Sequence, residues 1–126
     1  MKKIIATDKA PSAIGPYSQA IQAGDFLFAS GQIAIDPTSG QIVTGGVADE
    51  ARRVLENVKG LLDGAGFTLQ QVVKTTVFAA SIEDFAVVNS IYAEYFGENS
   101  PARSFVAVKS LPKGALVEIE VVAWKG

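Results

Sequence analysis

Pro101-Ala102-Arg103-Ser104-Phe105-Val106-Ala107-Val108, then Leu111-Pro112-Lys113-Gly114, then Val117-Glu118-Ile119-Glu120-Val121, decide the fold of this chain. Two apolar runs of strand length flank a Pro/Gly turn, so the chain closes with two β-strands, Ala102 to Lys109 and Leu116 to Trp124. The first run opens on an arginine, and the second alternates glutamates with branched aliphatics. Buried charge is costly unless it is paired or used. The same two strands therefore hold part of the core and the leading candidates for chemistry.

Working upstream, Val72 to Ala80 reads as another strand. Ser81 is a good N-cap, with Glu83 and Asp84 in the first turn of a helix that runs to about Phe96. Asn89 sits on the apolar stripe of that helix, so its amide must find a partner. Val47 to Ala65 is the clearest helix. Val47, Ala51, Val54, Leu55, Val58, Leu61, Leu62 and Ala65 follow the 3.6-residue period, and Gly64 and Gly66 supply the stop. Its opposite face, with Arg52, Arg53, Glu56, Lys59 and Asp63, reads as a solvated charged surface.

Ser18 to Ala23 and Asp25 to Gln32 form a hairpin around Gly24-Asp25, and residues 3–6 a short edge strand. Pro11 to Pro16 is an irregular loop. The order β-β-α-β-α-β-β, after a short first strand, predicts an α+β domain over 1–126: a mixed sheet with both helices on one face. The other sheet face keeps apolar side chains, which predicts self-association.

The 126 residues are 48% hydrophobic and 19% charged, enough to bury a core. A net charge of −2 argues against a dominant electrostatic grip on nucleic acid. The chain has no cysteine and no histidine. Disulfides, thiolate nucleophiles, Ser-His dyads and the usual zinc and copper sites are excluded, leaving only carboxylate sites for magnesium or calcium. Asp36-Pro37-Thr38-Ser39-Gly40 lacks the ligand spacing of a calcium loop and reads as a turn. The apolar start at Ile4-Ile5-Ala6 is cut by Thr7-Asp8-Lys9, too short for a signal sequence. A cytoplasmic location is expected.

Chemistry then falls to Arg, Glu, Tyr, Ser and backbone groups. The Arg103 guanidinium is a planar fork that matches a carboxylate. It reads either as an internal salt-bridge partner or as a clamp at an open strand edge. Glu118 and Glu120 share one strand face with Val122 and Trp124. That face reads either as solvated or as one wall of a subunit interface, where a partly buried carboxyl is raised by desolvation and lowered by Arg103 nearby. Tyr17 follows the Gly15-Pro16 turn and is either core or site. Ser30-Gly31 ends a strand where a backbone amide is open to close approach.

Together these segments resemble the RidA family, also called YjgF/YER057c/UK114. The matching blocks are Ala13–Gln19, Ser30–Ile33, Glu56–Lys59, Val73–Phe78, Asp84–Asn89, Pro101–Ser104, Leu111–Lys113 and Val117–Glu120. The resemblance implies a chorismate-mutase-like α+β fold assembled as a homotrimer, with three clefts between subunits. It also implies hydrolysis of 2-imino acids or their 2-enamino tautomers, such as 2-iminobutanoate and 2-iminopropanoate, to 2-keto acids and ammonia. No cofactor is implied, and no membrane or nucleic-acid partner is expected.

By resemblance, Arg103 clamps the substrate carboxylate and Glu118 positions water, while Tyr17, Ser30, Gly31 and Asn89 line the pocket. Phe105 departs from the family pattern, where a cysteine is common, and its parity with Arg103 suggests that it faces the cleft. Two rival readings stand beside the deaminase. One is a non-catalytic regulatory trimer that binds small keto or amino acids. The other is RNA cleavage or translation inhibition, against which the acidic balance counts.

Overall fold

The computed structural model describes residues 1–126. Six strands, β1 (Lys2–Ile5), β2 (Ala20–Ala23), β3 (Phe26–Gln32), β4 (Val72–Ala79), β5 (Ala102–Ala107) and β6 (Val117–Trp124), form one mixed sheet in the order β1-β2-β3-β6-β4-β5. The helices are α1 (Val47–Ala65) and α2 (Phe85–Phe96). Strand β6 runs antiparallel to both β3 and β4, so β3 and β4 are parallel, and β4 pairs with β5 in parallel. Parallel strands need crossovers, and crossovers are right-handed. Both here, β3-α1-β4 and β4-α2-β5, step the same way across the sheet. Both helices are therefore placed on the same face, as the sequence predicts.

The core lies between the helices and that face. Val117, Ile119, Val121 and Ala123 of β6 are buried against Val54, Leu55, Val58, Leu61 and Leu62 of α1. Gly66, at φ 80°, ends α1 in the left-handed conformation that glycine takes most cheaply. Ser81 accepts the Glu83 amide as expected, but the turn it caps is a 3-10 turn, Ile82–Asp84, leading into α2. Strand β2 starts at Ala20 rather than Ser18, because the Ser18 and Gln19 carbonyls take the Ser30 hydroxyl and amide instead. Asp36 is a turn residue, as predicted: its carboxylate accepts the Thr38 amide at 2.8 Å. No helix is long and apolar enough to cross a membrane.

The second sheet face is uncovered in the single chain. Phe28 and Trp124 remain 49% and 47% exposed on it, with Phe26, Val106 and Ile4 also exposed. Register places Phe26 opposite Trp124 and Phe28 opposite Val122, so these side chains form one patch.

Three buried polar side chains tie distant segments to this frame. Gln19 accepts the Thr7 amide at 2.6 Å and donates to the Thr7, Ala10 and Pro11 carbonyls. It pins the segment that runs along α1, where the Lys9 carbonyl leaves no room for a Cβ at Gly60. Glu50 accepts the Leu116 amide at 2.9 Å and fixes the entry to β6. Asn57 donates to the Ile33 and Ile35 carbonyls at 3.1 and 2.8 Å and accepts from Arg53 Nε.

Removing the Asn57 amide strands the Ile35 carbonyl beneath the segment that follows β3 and leaves the Ile33 carbonyl with the Ile35 amide alone. Asn57→Ala is expected to cost about 1–3 kcal/mol of stability, read as a lower denaturation midpoint at unchanged m. A change below about half a kcal/mol, the range of ordinary surface substitutions, would show that water replaces the amide.

Candidate active site

The sequence-predicted site residues fall into two groups on opposite faces of the sheet. The first is built on a bulge in β3. Ala29 pairs with Val121 and Gln32 with Ile119, so Ser30 and Gly31 together stand opposite the single residue Glu120. The Ser30 hydroxyl donates to the Ser18 carbonyl at 2.6 Å, tying the bulge to the loop that carries Tyr17. Tyr17 is exposed, and its hydroxyl accepts the Ile14 amide at 3.4 Å.

Glu118 lies across Gly31. A Cβ at that glycine would run into the glutamate side chain, whose Cδ is 2.8 Å from where the Cβ would sit. A side chain at position 31 thus displaces the carboxylate, which is the physical reason for glycine there. Tyr17, Ser30, Gly31 and Glu118 line one cavity of about 640 Å³, together with Glu120 and Lys113.

Glu118 is half-buried. Burial, and after it the negative charge of Glu120, holds its carboxyl above the ordinary glutamate range. Elevation by desolvation matches the sequence expectation. The lowering expected from a nearby Arg103 is absent within the chain, because Arg103 is on the other face. Glu118 stands opposite Phe78 of β4 on the open side, whereas Arg103 stands opposite the buried Thr75 on the helix side.

The second group is built on α2 and β5. Arg103 donates from Nη1 to Asn89 Oδ1 at 2.7 Å, so the amide on the apolar stripe has the partner it requires. The guanidinium carbon lies 4.8 Å from the Tyr92 ring centre, 5.6 Å from Phe85 and 5.8 Å from Phe105. Such cation–π contacts orient the fork without cancelling its charge. Tyr92 is anchored in turn by a 2.7 Å hydrogen bond with Thr75. Phe105 meets Phe85 edge-on at 4.9 Å, so it faces the Arg103 side, as its parity suggests. Neither ion pair in the chain involves Arg103, which sets aside the internal salt-bridge reading.

A further depression of about 500 Å³ lies on the helix side, between Lys9, α1 and the end of α2. Three of its charged residues have partners within the chain. Lys9 pairs with Asp63, and Glu56 accepts the Tyr95 hydroxyl, whose pKa is pushed up to about 12 by burial and by that bond.

Sequence reasoning missed Gln19, Glu50 and Asn57 as the supports of the bulge and its loops. The signal was present for Asn57, an amide at the edge of the α1 apolar stripe.

A carboxyl raised in the folded state binds its proton more tightly there than in the unfolded chain. Glu118 therefore opposes folding above its folded pKa, and stability recovers as pH falls through that value toward the unfolded one. Glu118→Gln is expected to raise Tm by up to a few degrees at neutral pH, with the difference vanishing below the ordinary carboxylate range. A Tm that falls at neutral pH on this substitution would show a stabilising ion pair instead.

Comparison with known proteins places this geometry in a family. The family model described as Endoribonuclease L-PSP matches residues 7–125. A RutC family protein of Pyrococcus horikoshii is 55% identical over 99% of both chains. The human 2-iminobutanoate/2-iminopropanoate deaminase is 52% identical over 100% of this chain and 92% of its own. Among solved structures, E. coli TdcF with bound serine superposes with a TM-score of 0.93 at 43% identity, covering 98% of this chain and 99% of that one. RidA from an Antarctic Psychrobacter gives 0.94 at 41%, with the same coverage. With relatives at this identity along nearly its full length, the chain belongs to the RidA family.

Proposed function

We propose that this protein hydrolyses reactive 2-imino and 2-enamino acids, 2-iminobutanoate and 2-iminopropanoate among them, to 2-keto acids and ammonia. The observation that carries this reading is Arg103, an arginine held by a neutral amide and three rings and unpaired within its own chain. Such a group binds an external carboxylate without first giving up an internal one. The name of the human relative supports the reaction class.

Arg103 and Glu118 act together only if a second copy supplies one of them. A sheet stands between them in one chain, and β5, which carries Arg103, is an edge strand. The uncovered apolar face supplies the surface for association. A homotrimer would set Arg103 and Asn89 of one copy over the cavity formed by Tyr17, Ser30, Gly31 and Glu118 of its neighbour. Each of the three clefts would then hold a complete site.

The chemistry needs no cofactor. The iminium carbon is already electrophilic, so orientation supplies much of the rate. Arg103 would hold the carboxylate, and the Gly31 amide would help orient it. Water bound to the Glu118 carboxylate adds to C2 as its proton passes to that carboxylate. The resulting carboxyl returns the proton to nitrogen, the C–N bond breaks as the regenerated carboxylate takes the C2 hydroxyl proton and the carbonyl forms, and that last proton leaves on ammonia, so the products are the 2-keto acid and ammonium. A raised pKa in Glu118 suits a group that must take a proton and give it back. An enamine substrate must first be protonated at C3.

The bound serine of the E. coli relative favours one other reading, a regulatory trimer that binds small amino or keto acids without turnover. The decay of 2-iminobutanoate generated in situ separates the two. Under the deaminase reading, Arg103→Ala loses about a hundredfold or more, as expected from stranding a buried carboxylate at roughly 3–5 kcal/mol. Glu118→Gln lowers kcat with modest change in substrate binding. Wild-type protein that leaves the imine decay unchanged, while folded and assembled, moves the function to ligand binding.

A further inference from the structure

The cavity around Glu118 presents a charge problem. Two carboxylates, Glu118 and Glu120, face it, and Lys113 is its one cationic lining residue. A substrate that carries its own carboxylate approaches this wall against repulsion.

Lys113 is also the one non-glycine residue of the chain with positive φ, at φ 58° and ψ 24°. The left-handed conformation is costly for a residue with a Cβ and a branchless aliphatic stem offers no local compensation, whereas glycine takes it freely. Gly114, immediately after it, is also left-handed at φ 68°. The pair forms a tight turn, closed by the Ala115 amide on the Pro112 carbonyl at 3.0 Å. The turn is held from behind, since Glu50 bonds the Leu116 amide. The lysine is exposed and belongs to neither ion pair, so its charge is not spent within the chain. A lysine kept where glycine fits better, beside a cavity with two carboxylates, points to a role for its charge.

We propose that Lys113 recruits anionic substrate to the cavity, offsetting the field of Glu118 and Glu120. This rests on the imino-acid reading above, because it requires a substrate bearing a carboxylate. Its field acts on the approach and on the bound anion, so its effect falls on KM and on kcat/KM, and salt screens it. Arg103 would remain the group that fixes the carboxylate in place.

The test uses Lys113→Gly, Lys113→Met and Lys113→Arg in the assembled protein. Lys113→Gly is expected to raise Tm by a few degrees at fixed protein concentration, while lowering kcat/KM for 2-iminobutanoate about three- to tenfold at low salt. The loss should lie mainly in KM and shrink at high salt. Lys113→Met should show the same kinetic loss without the gain in Tm, and Lys113→Arg should retain most of the activity. Wild-type kinetics in the Gly and Met variants, with an active wild type, would overturn the proposal and leave the deaminase reading intact. A wild type with no turnover would defeat the deaminase reading instead. Equilibrium binding of 2-ketobutyrate then decides for Lys113: weaker, salt-sensitive binding in Lys113→Gly supports recruitment, and unchanged binding refutes it.

Discussion

Two right-handed crossovers running the same way across one sheet constrain everything else in this molecule. They commit α1 and α2 to a single face and leave the other bare. The helix-covered face provides the core that stabilises the chain. The bare face carries Phe26, Phe28 and Trp124 and, toward the other end of β6, the Glu118 cavity. Burial of an extended apolar patch is the ordinary driving force for association. Here that patch is continuous through β6 with the candidate catalytic carboxylate.

The bulge at Ser30-Gly31, in the interior strand β3, opens a cavity on this face. An extra residue in β3 leaves Gly31 under the Glu118 side chain and swings Ser30 toward the Tyr17 loop. A bulge interrupts the ladder, so the backbone groups around it need other partners. Asn57, from α1, bonds the Ile33 and Ile35 carbonyls just past the end of β3, and Gln19 gathers the N-terminal segment with four hydrogen bonds. These amides are side-chain substitutes for secondary structure, placed where the site departs from regular geometry.

That division explains what was legible in the sequence. The bounds of α1 follow from the 3.6-residue stripe between Val47 and Ala65 and its glycine stop, and β6 follows from the alternation over Val117–Val121, because both patterns are local. Asn89 announced itself as an amide on an apolar stripe. The opposite facing of Arg103 and Glu118 did not, since parity fixes a side chain only relative to its own strand. Relating two strands requires the register through β4, which pairs Thr75 with Arg103 and Phe78 with Glu118. Gln19 stayed hidden for a similar reason: its partners are backbone groups of Thr7, Ala10 and Pro11, which leave no mark in the sequence.

The separation of the two half-sites has an electrostatic consequence. Had Arg103 and Glu118 met within one chain, they would have formed an ion pair, and an entering carboxylate would have had to displace Glu118. Within the single chain the sheet keeps them apart, and there each retains the property that the other would cancel. Arg103 keeps an uncompensated charge on a scaffold of Asn89, Tyr92, Phe85 and Phe105. Glu118, half-buried beside Glu120, keeps a carboxyl with raised proton affinity. A ligand with a carboxylate at one end and an electrophilic carbon at the other matches both groups, which is why the proposed function requires a second copy of the chain to bring them to one ligand.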